Sequence, residues 1–368
     1  MASDKQVQKA GDNSTQIQAN AVYVVGIDEK RAREVYTEMS EQTIAQCTSE
    51  AAATANARIG KFKEELIPRV ERIEKDFRSF SDPSFQVLLK KAQLTAACTG
   101  RDSDYAILAE LLTHRIKNKD NVKKKASIQR AIEVIDQIDD DSLVALATLH
   151  AVSSFWPLSG QISTGIQNLS ALYEKIGCFR LPADNLWIDN LLVVGAINVI
   201  PFSALPKYEE RFKSLLDGYV ATGIKKGGDN YQKAVDVLLN CQIFTDILVD
   251  HELLPGYVRL PFIQKRKYDG FFFTRKQIID GGVVESEHPI SKQQIDCLNR
   301  VFDFYEDSPM LQSQVEQNWH NLLCQYAPVR KTMEWWDSLK GNYQLTAVGR
   351  TIAHTYAKQI DPNLPDLD

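Results

Sequence analysis

Residues 29–66, EKRAREVYTEMSEQTIAQCTSEAAATANARIGKFKEEL, decide the fold class: they read as a long helix opened by an Asp28 cap. Ile44, Ala55, Leu66 and Phe77 recur every eleven residues, and Ala55, Ile59, Phe62 and Leu66 fill one such repeat. An eleven-residue period is about 3.67 residues per turn, so the apolar seam runs nearly straight or drifts into a right-handed coil. The block AAATANA, Ala51–Ala57, offers side chains small enough for another backbone to approach. Pro68 lies inside the pattern and predicts a kink or break, because it removes a donor and clashes with the carbonyl four residues back. Either the seam docks on another copy, or two ordinary helices pack within their own chain.

Upstream, the pattern changes to period two. Ile17, Ala19, Ala21, Tyr23 and Val25 share one parity; Gln16, Gln18 and Asn20 take the other, joined by Val22 and Val24. That is a short strand with one apolar and one mostly amide face, ended by Gly26. A free strand has backbone groups that must bond to something, and no other strong strand is evident nearby. Pairing with the same strand of a second chain stacks the amides into ladders and buries the apolar side chains against a facing sheet. The expected self-association residues are therefore Asn13, Gln16, Ile17, Gln18, Ala19 and Tyr23 of the strand, with Ala51, Ala55, Ile59 and Phe62 of the helix.

Downstream, helical spacing predicts a bundle over 81–155. Its helices start at Asp82-Pro83, run over 102–117, 126–138 and 141–155, and include a basic connector at 117–125. Residues 156–289 are less regular, with helices over 165–176, 186–198, 207–220 and 230–248. A Pro- and aromatic-rich stretch and a Gly281-Gly282 turn follow them. The last unit, 290–368, carries helices over 291–305, 309–326 and 329–339, then a short strand and a helix capped by Thr346. Its Tyr343-x-Leu345-Thr346-x-x-Gly349 segment resembles the strand-to-helix passage of winged-helix domains. Trp335 and Trp336 belong to that unit's core, with one of the adjacent pair facing outward if the segment is helical. With residues 1–27 as a polar tail and short strand and 28–80 as the long helix, the fold class is mainly α.

Of the 368 residues 44% are hydrophobic and 25% charged, an ordinary globular balance, and a net charge of −5 argues against a broad nucleic-acid footprint. The local exception is the basic connector, where Lys119, Lys123, Lys124 and Lys125 are candidates for phosphate contact. The six cysteines are scattered without zinc spacing and are expected to be reduced thiols of a cytoplasmic protein. No polar residue pattern matches a phosphate loop, a nucleophile elbow or a metal-binding HExxH, so no catalytic residue, cofactor or metal is assigned. Asp139–Asp141 reads as an acidic helix cap. Asp250-His251-Glu252 is the densest ionisable triplet, without the spacing of one site. The longest apolar run, 187–205, contains Asp189 and a proline and reads as core, so no membrane span is expected.

The segment NSTQIQA resembles the amide-rich motifs of amyloid-type signalling segments, including the RHIM-like ones of bacteria, although Ala19 stands where those have glycine. More broadly, GDNSTQIQA followed by GIDEKRAREVY and, near the other end, YQLTAVGRTIA is similar to an uncharacterised bacterial family of mainly helical proteins. The resemblance implies a homotypic adhesive head and a link to bacterial stress or antiviral defence; it supplies no functional residues. The expectation is a non-enzymatic protein that self-associates or docks to a partner with a like strand. The alternatives are a DNA-binding regulator using the C-terminal unit and an enzyme whose site is assembled from distant residues, signalled by a polar pocket holding His251 or Cys324.

Overall fold

The structure, a computed structural model, describes residues 28–45, 49–118, 120–268, 271–279 and 282–367. The expected strand with Asn13, Gln16, Ile17, Gln18, Ala19 and Tyr23 lies outside the described residues, as does Lys119. The chain is mainly helical, as its periodicity predicts. The long helix, however, is two: α1 (Glu29–Ile44) and α2 (Ser49–Ile73). Asp28 caps α1 by accepting the Arg31 N–H at 2.7 Å. The two helices fold against each other, so that the Tyr36 hydroxyl donates to the Ile59 carbonyl at 2.9 Å and its ring meets Phe62. Pro68 neither ends nor breaks α2; it sits on the exposed face, where water can serve the carbonyl it leaves.

The bundle continues with α3 (Pro83–Cys98), α4 (Asp102–Lys117), α5 (Val122–Val134), α6 (Asp140–Ser154) and α7 (Ile162–Ile176). Asp82 and Asp139 cap α3 and α6 through their carboxylates. In α6 every residue from Ser142 to Val152 is buried, so it runs through the centre of the core. Next come α8 (Leu186–Val193), β1 (Ile197–Ile200) and α9 (Tyr208–Leu215). The large core then resumes in α12 (Pro309–Gln325), α13 (Ala327–Ser338), β7 (Asn342–Leu345) and α14 (Ala347–Ile360).

A second, smaller core lies between those two stretches of chain. It is built on β2 (Ile224–Lys225), α10 (Asp229–Asn240), β3 (Val249–Asp250), β4 (Tyr257–Arg259) and α11 (Lys292–Phe302), with strand order β2-β4-β3. The hairpin of β5 (Phe272–Ile279) and β6 (Gly282–Pro289) leads into α11. Residues 290–368 are thus shared between the cores: α11 joins the small one and α12–α14 the large one. Cys241, at the C-terminal cap of α10, and Cys297 of α11 form a disulfide with Cα atoms 6.6 Å apart, which corrects the expectation of six separate thiols. The cause is tertiary: 56 residues of sequence separate two cysteines on helices that pack together.

The terminal strand pairs far upstream. β7 runs antiparallel to β1, with Ile197 opposite Leu345 and Ile200 opposite Asn342. The helix pair with Trp335 and Trp336 is buried on both sides, correcting the outward-facing expectation. Trp335 donates to the Pro182 carbonyl and stacks near Trp187, while Trp336 donates to the Pro206 carbonyl. Among the described residues no helix is long and apolar enough to cross a membrane.

Candidate functional site

Two facing helices set up the site. Helix α6 is fixed at its start by Asp139 and near its end by Arg211, whose guanidinium donates to the Val152 and Ser153 carbonyls at 3.1 and 2.8 Å. His150 and Ser154 are one turn apart on it. Helix α14 is fixed by the Thr346-x-x-Gly349 segment. The Thr346 hydroxyl accepts the Gly349 N–H and donates to the Gly195 carbonyl at 2.7 Å. Gly349 backs so closely on Ala196 that any Cβ there would overlap the Ala196 carbonyl. Arg350 and His354 follow, again one turn apart, on a helix that packs along α6.

The result is a short polar chain. Ser154 Oγ lies 3.2 Å from His150 Nδ1, and His150 Nε2 lies 3.2 Å from His354 Nδ1. Phe155 covers both imidazoles, its ring centroid 5.1 Å from one and 6.0 Å from the other. Burial lowers the His150 pKa to about 3, helped by His354 and Arg350. Burial also lowers that of His354, with His114 and Lys358 adding to it. Both rings are therefore neutral at pH 7, and one proton lies between them. His354 is 2% exposed, yet its Nε2 has no hydrogen-bond partner. The Pro365 carbonyl comes near enough to favour its charged form without meeting hydrogen-bond geometry.

This chain opens on a cleft of about 1000 Å³. Phe155, Trp156, Leu158, Leu169 and Leu172 supply apolar walls, and residues of the segment 361–367 complete the lining. Trp156 and Leu158 stand 49% and 83% exposed at the rim. Of the charged lining groups, Asp361 is paired with Lys175 at 2.9 Å and Asp366 with Lys358. Arg350, exposed on the same wall, has no side-chain partner among the described residues. Such a cleft, mostly apolar with a few convergent polar groups, has the size and character of a small-molecule site.

The residues expected from sequence lie elsewhere. Ala55, Ile59 and Phe62 are buried in the protomer's own core against α1, α3 and α4, so the helix seam is filled from within the chain; Ala51 remains exposed. This corrects their assignment to a contact with another copy. Lys123, Lys124 and Lys125 do not form a connector loop but the first turn of α5, which Asn121 caps four residues earlier than expected. Lys123 is exposed, while Lys124 reaches toward the Leu367 carbonyl at 3.4 Å.

The acidic triplet divides three ways. Asp250 pairs with Lys226, and the Glu252 carboxylate accepts the Ile162 and Ser163 N–H groups at the start of α7. His251 is buried with both nitrogens satisfied: Nε2 donates to the Ala221 carbonyl at 2.6 Å and Nδ1 accepts from the Leu253 N–H at 3.1 Å. Cys324 lies on α12 beside His320, Sγ 3.5 Å from Nε2, and His320 Nδ1 is 2.5 Å from Glu209. Burial, then Glu209, pushes its thiol up, which is the wrong direction for a nucleophile. Among the described residues no three His, Cys, Asp or Glu side chains are placed to hold one metal ion. Sequence reasoning missed the His150–His354 pair. Its only local signal is two separate pairs four residues apart, His150/Ser154 and Arg350/His354.

Fold and cleft together define a mainly helical protein with a ligand-sized recess beside a buried imidazole pair. A family model described as ":-like" matches residues 26–367, and the chain belongs to that family. No curated protein and no solved structure matches it.

Proposed function

We propose that this chain is a non-enzymatic, self-associating sensor: its helical body holds a small ligand in the α6–α14 cleft, and its head, residues 13–23, makes the homotypic contact. The buried His354 Nε2, left without a partner beside a cleft of about 1000 Å³, carries the ligand-holding part. The likeness of NSTQIQA to amyloid-type signalling segments supports the contact, and the resemblance of the GDNST head to those of proteins linked to bacterial stress or antiviral defence is the ground for such a role. Because Ala55, Ile59 and Phe62 are used inside the protomer, the contact between copies falls to the head alone. Deleting residues 1–26 and measuring molar mass by light scattering tests this. The expected result is a drop from oligomer to monomer; an unchanged mass overturns the role of the head.

A further inference from the structure

The polar chain in the cleft has a direction that a ligand can set. With both rings neutral, the Ser154 hydroxyl donates to His150 Nδ1, His150 Nε2–H donates to His354 Nδ1, and His354 Nε2–H is left as a donor. The reverse order leaves His354 Nε2 as a bare acceptor. A ligand oxygen at His354 selects the first order and satisfies a buried polar atom that otherwise costs stability. Arg350, one turn away on the same helix wall, adds a cation that no carboxylate among the described residues pairs with, whereas both acidic side chains of the lining have their own lysines. The rest of the wall is apolar and aromatic apart from Asn168 and Asn363.

Building on the sensing role above, we infer that the cleft binds a small organic anion, its apolar body against Phe155, Trp156 and Leu169, its oxyanion head at Arg350 and, with the Pro365 carbonyl displaced from the covered His354 Nε2, on that nitrogen. Neither helix alone makes this site. It needs α14 seated by Gly349 so that Arg350 and His354 face the end of α6. Residues of the segment 361–367 complete the lining: Asp361 is paired with Lys175 and Asp366 with Lys358, and Asp366 and the Pro365 carbonyl lie near enough to His354 to favour its charged form. Charge complementarity and a recess of small-molecule volume identify the occupant as a free ligand of this class.

The test uses the full chain and two fluorescent probes with the same aromatic body, anilinonaphthalene sulfonate and the uncharged phenyl-naphthylamine. The sulfonate is expected to bind at one site per chain and more tightly than the uncharged probe. Arg350→Met should raise its Kd about tenfold or more, the loss of one charge-assisted contact, and leave the uncharged probe unaffected. Arg350→Lys should restore most of the affinity. Equal affinity of the two probes, or a sulfonate Kd unmoved by Arg350→Met, overturns the anion assignment while leaving the sensing role standing. Failure of both probes to bind overturns both. Molar mass measured on the same samples reports the head separately.

Discussion

His251 and His354 are both buried and both held neutral by burial, yet only one of them marks a site. His251 has both nitrogens matched by backbone groups, Ala221 and Leu253, a closed set of bonds. His354 lines a cleft and has one nitrogen matched and one left over, covered from solvent. Burial and a lowered pKa are therefore common to a structural and a candidate functional histidine; the unmatched nitrogen separates them.

The largest effects are expected where backbone approaches backbone. Gly349→Ala drives a Cβ into the Ala196 carbonyl beneath the His354 helix. Gly223→Ala does the same to Val258 beside His251, at a positive φ of 82°. Each should cost about 3 kcal/mol or more in urea unfolding, from overpacking with added backbone strain at Gly223. A cost under about 1 kcal/mol at Gly349 would mean that α14 is not seated as described.

The two histidines themselves should differ next. His251→Phe strands a carbonyl and an N–H and should cost about 2–4 kcal/mol, whereas His354→Phe strands only His150 Nε2 and should cost about half as much. Equal costs by denaturant titration would remove the distinction between them.

Acid should act on both regions in the same sense. Burial lowers the His251 pKa to about 4 and the His150 pKa to about 3, from 6.5 in the unfolded chain. The unfolded chain therefore takes up protons first as pH falls. The stability these neutral rings contribute is complete above pH 6.5 and is lost toward pH 3–4, at up to about 1.4 kcal/mol per pH unit for each ring. His150→Gln should flatten the slope of unfolding free energy against pH by about one proton's worth between pH 6 and 4. An unchanged slope would show that His150 is not held neutral. The smallest stability effect belongs to Arg350→Met, expected within about 0.5 kcal/mol, because the side chain is exposed and has no ion-pair partner among the described residues.

Much of the helical frame was legible because its signals are local. Asp28, Asp82, Asp139, Ser291 and Thr346 all cap helices, and the apolar spacing over 102–117 matches α4 from end to end. What failed was long-range. The seam of α2 reads the same whether it meets another copy or its own α1, α3 and α4. Trp335 and Trp336 point in different directions, and both are buried only because α13 has neighbours on two sides. β7 pairs with β1, a strand hidden within an apolar run that reads as helix. The candidate site was illegible for the same reason: His150 and His354 meet across 204 residues of sequence, and neither has a motif around it. The Thr346-x-x-Gly349 segment was noticed, but its role, holding Arg350 and His354 against α6, depends on Ala196.

The most direct measurement is nitrogen-15 NMR of the histidine side chains during titration with anilinonaphthalene sulfonate. A shift of the His354 Nε2 resonance to that of a hydrogen-bonded N–H, carried on to His150 while His251 stays still, is the predicted result. A titration in which His354 does not move as the probe saturates would contradict it.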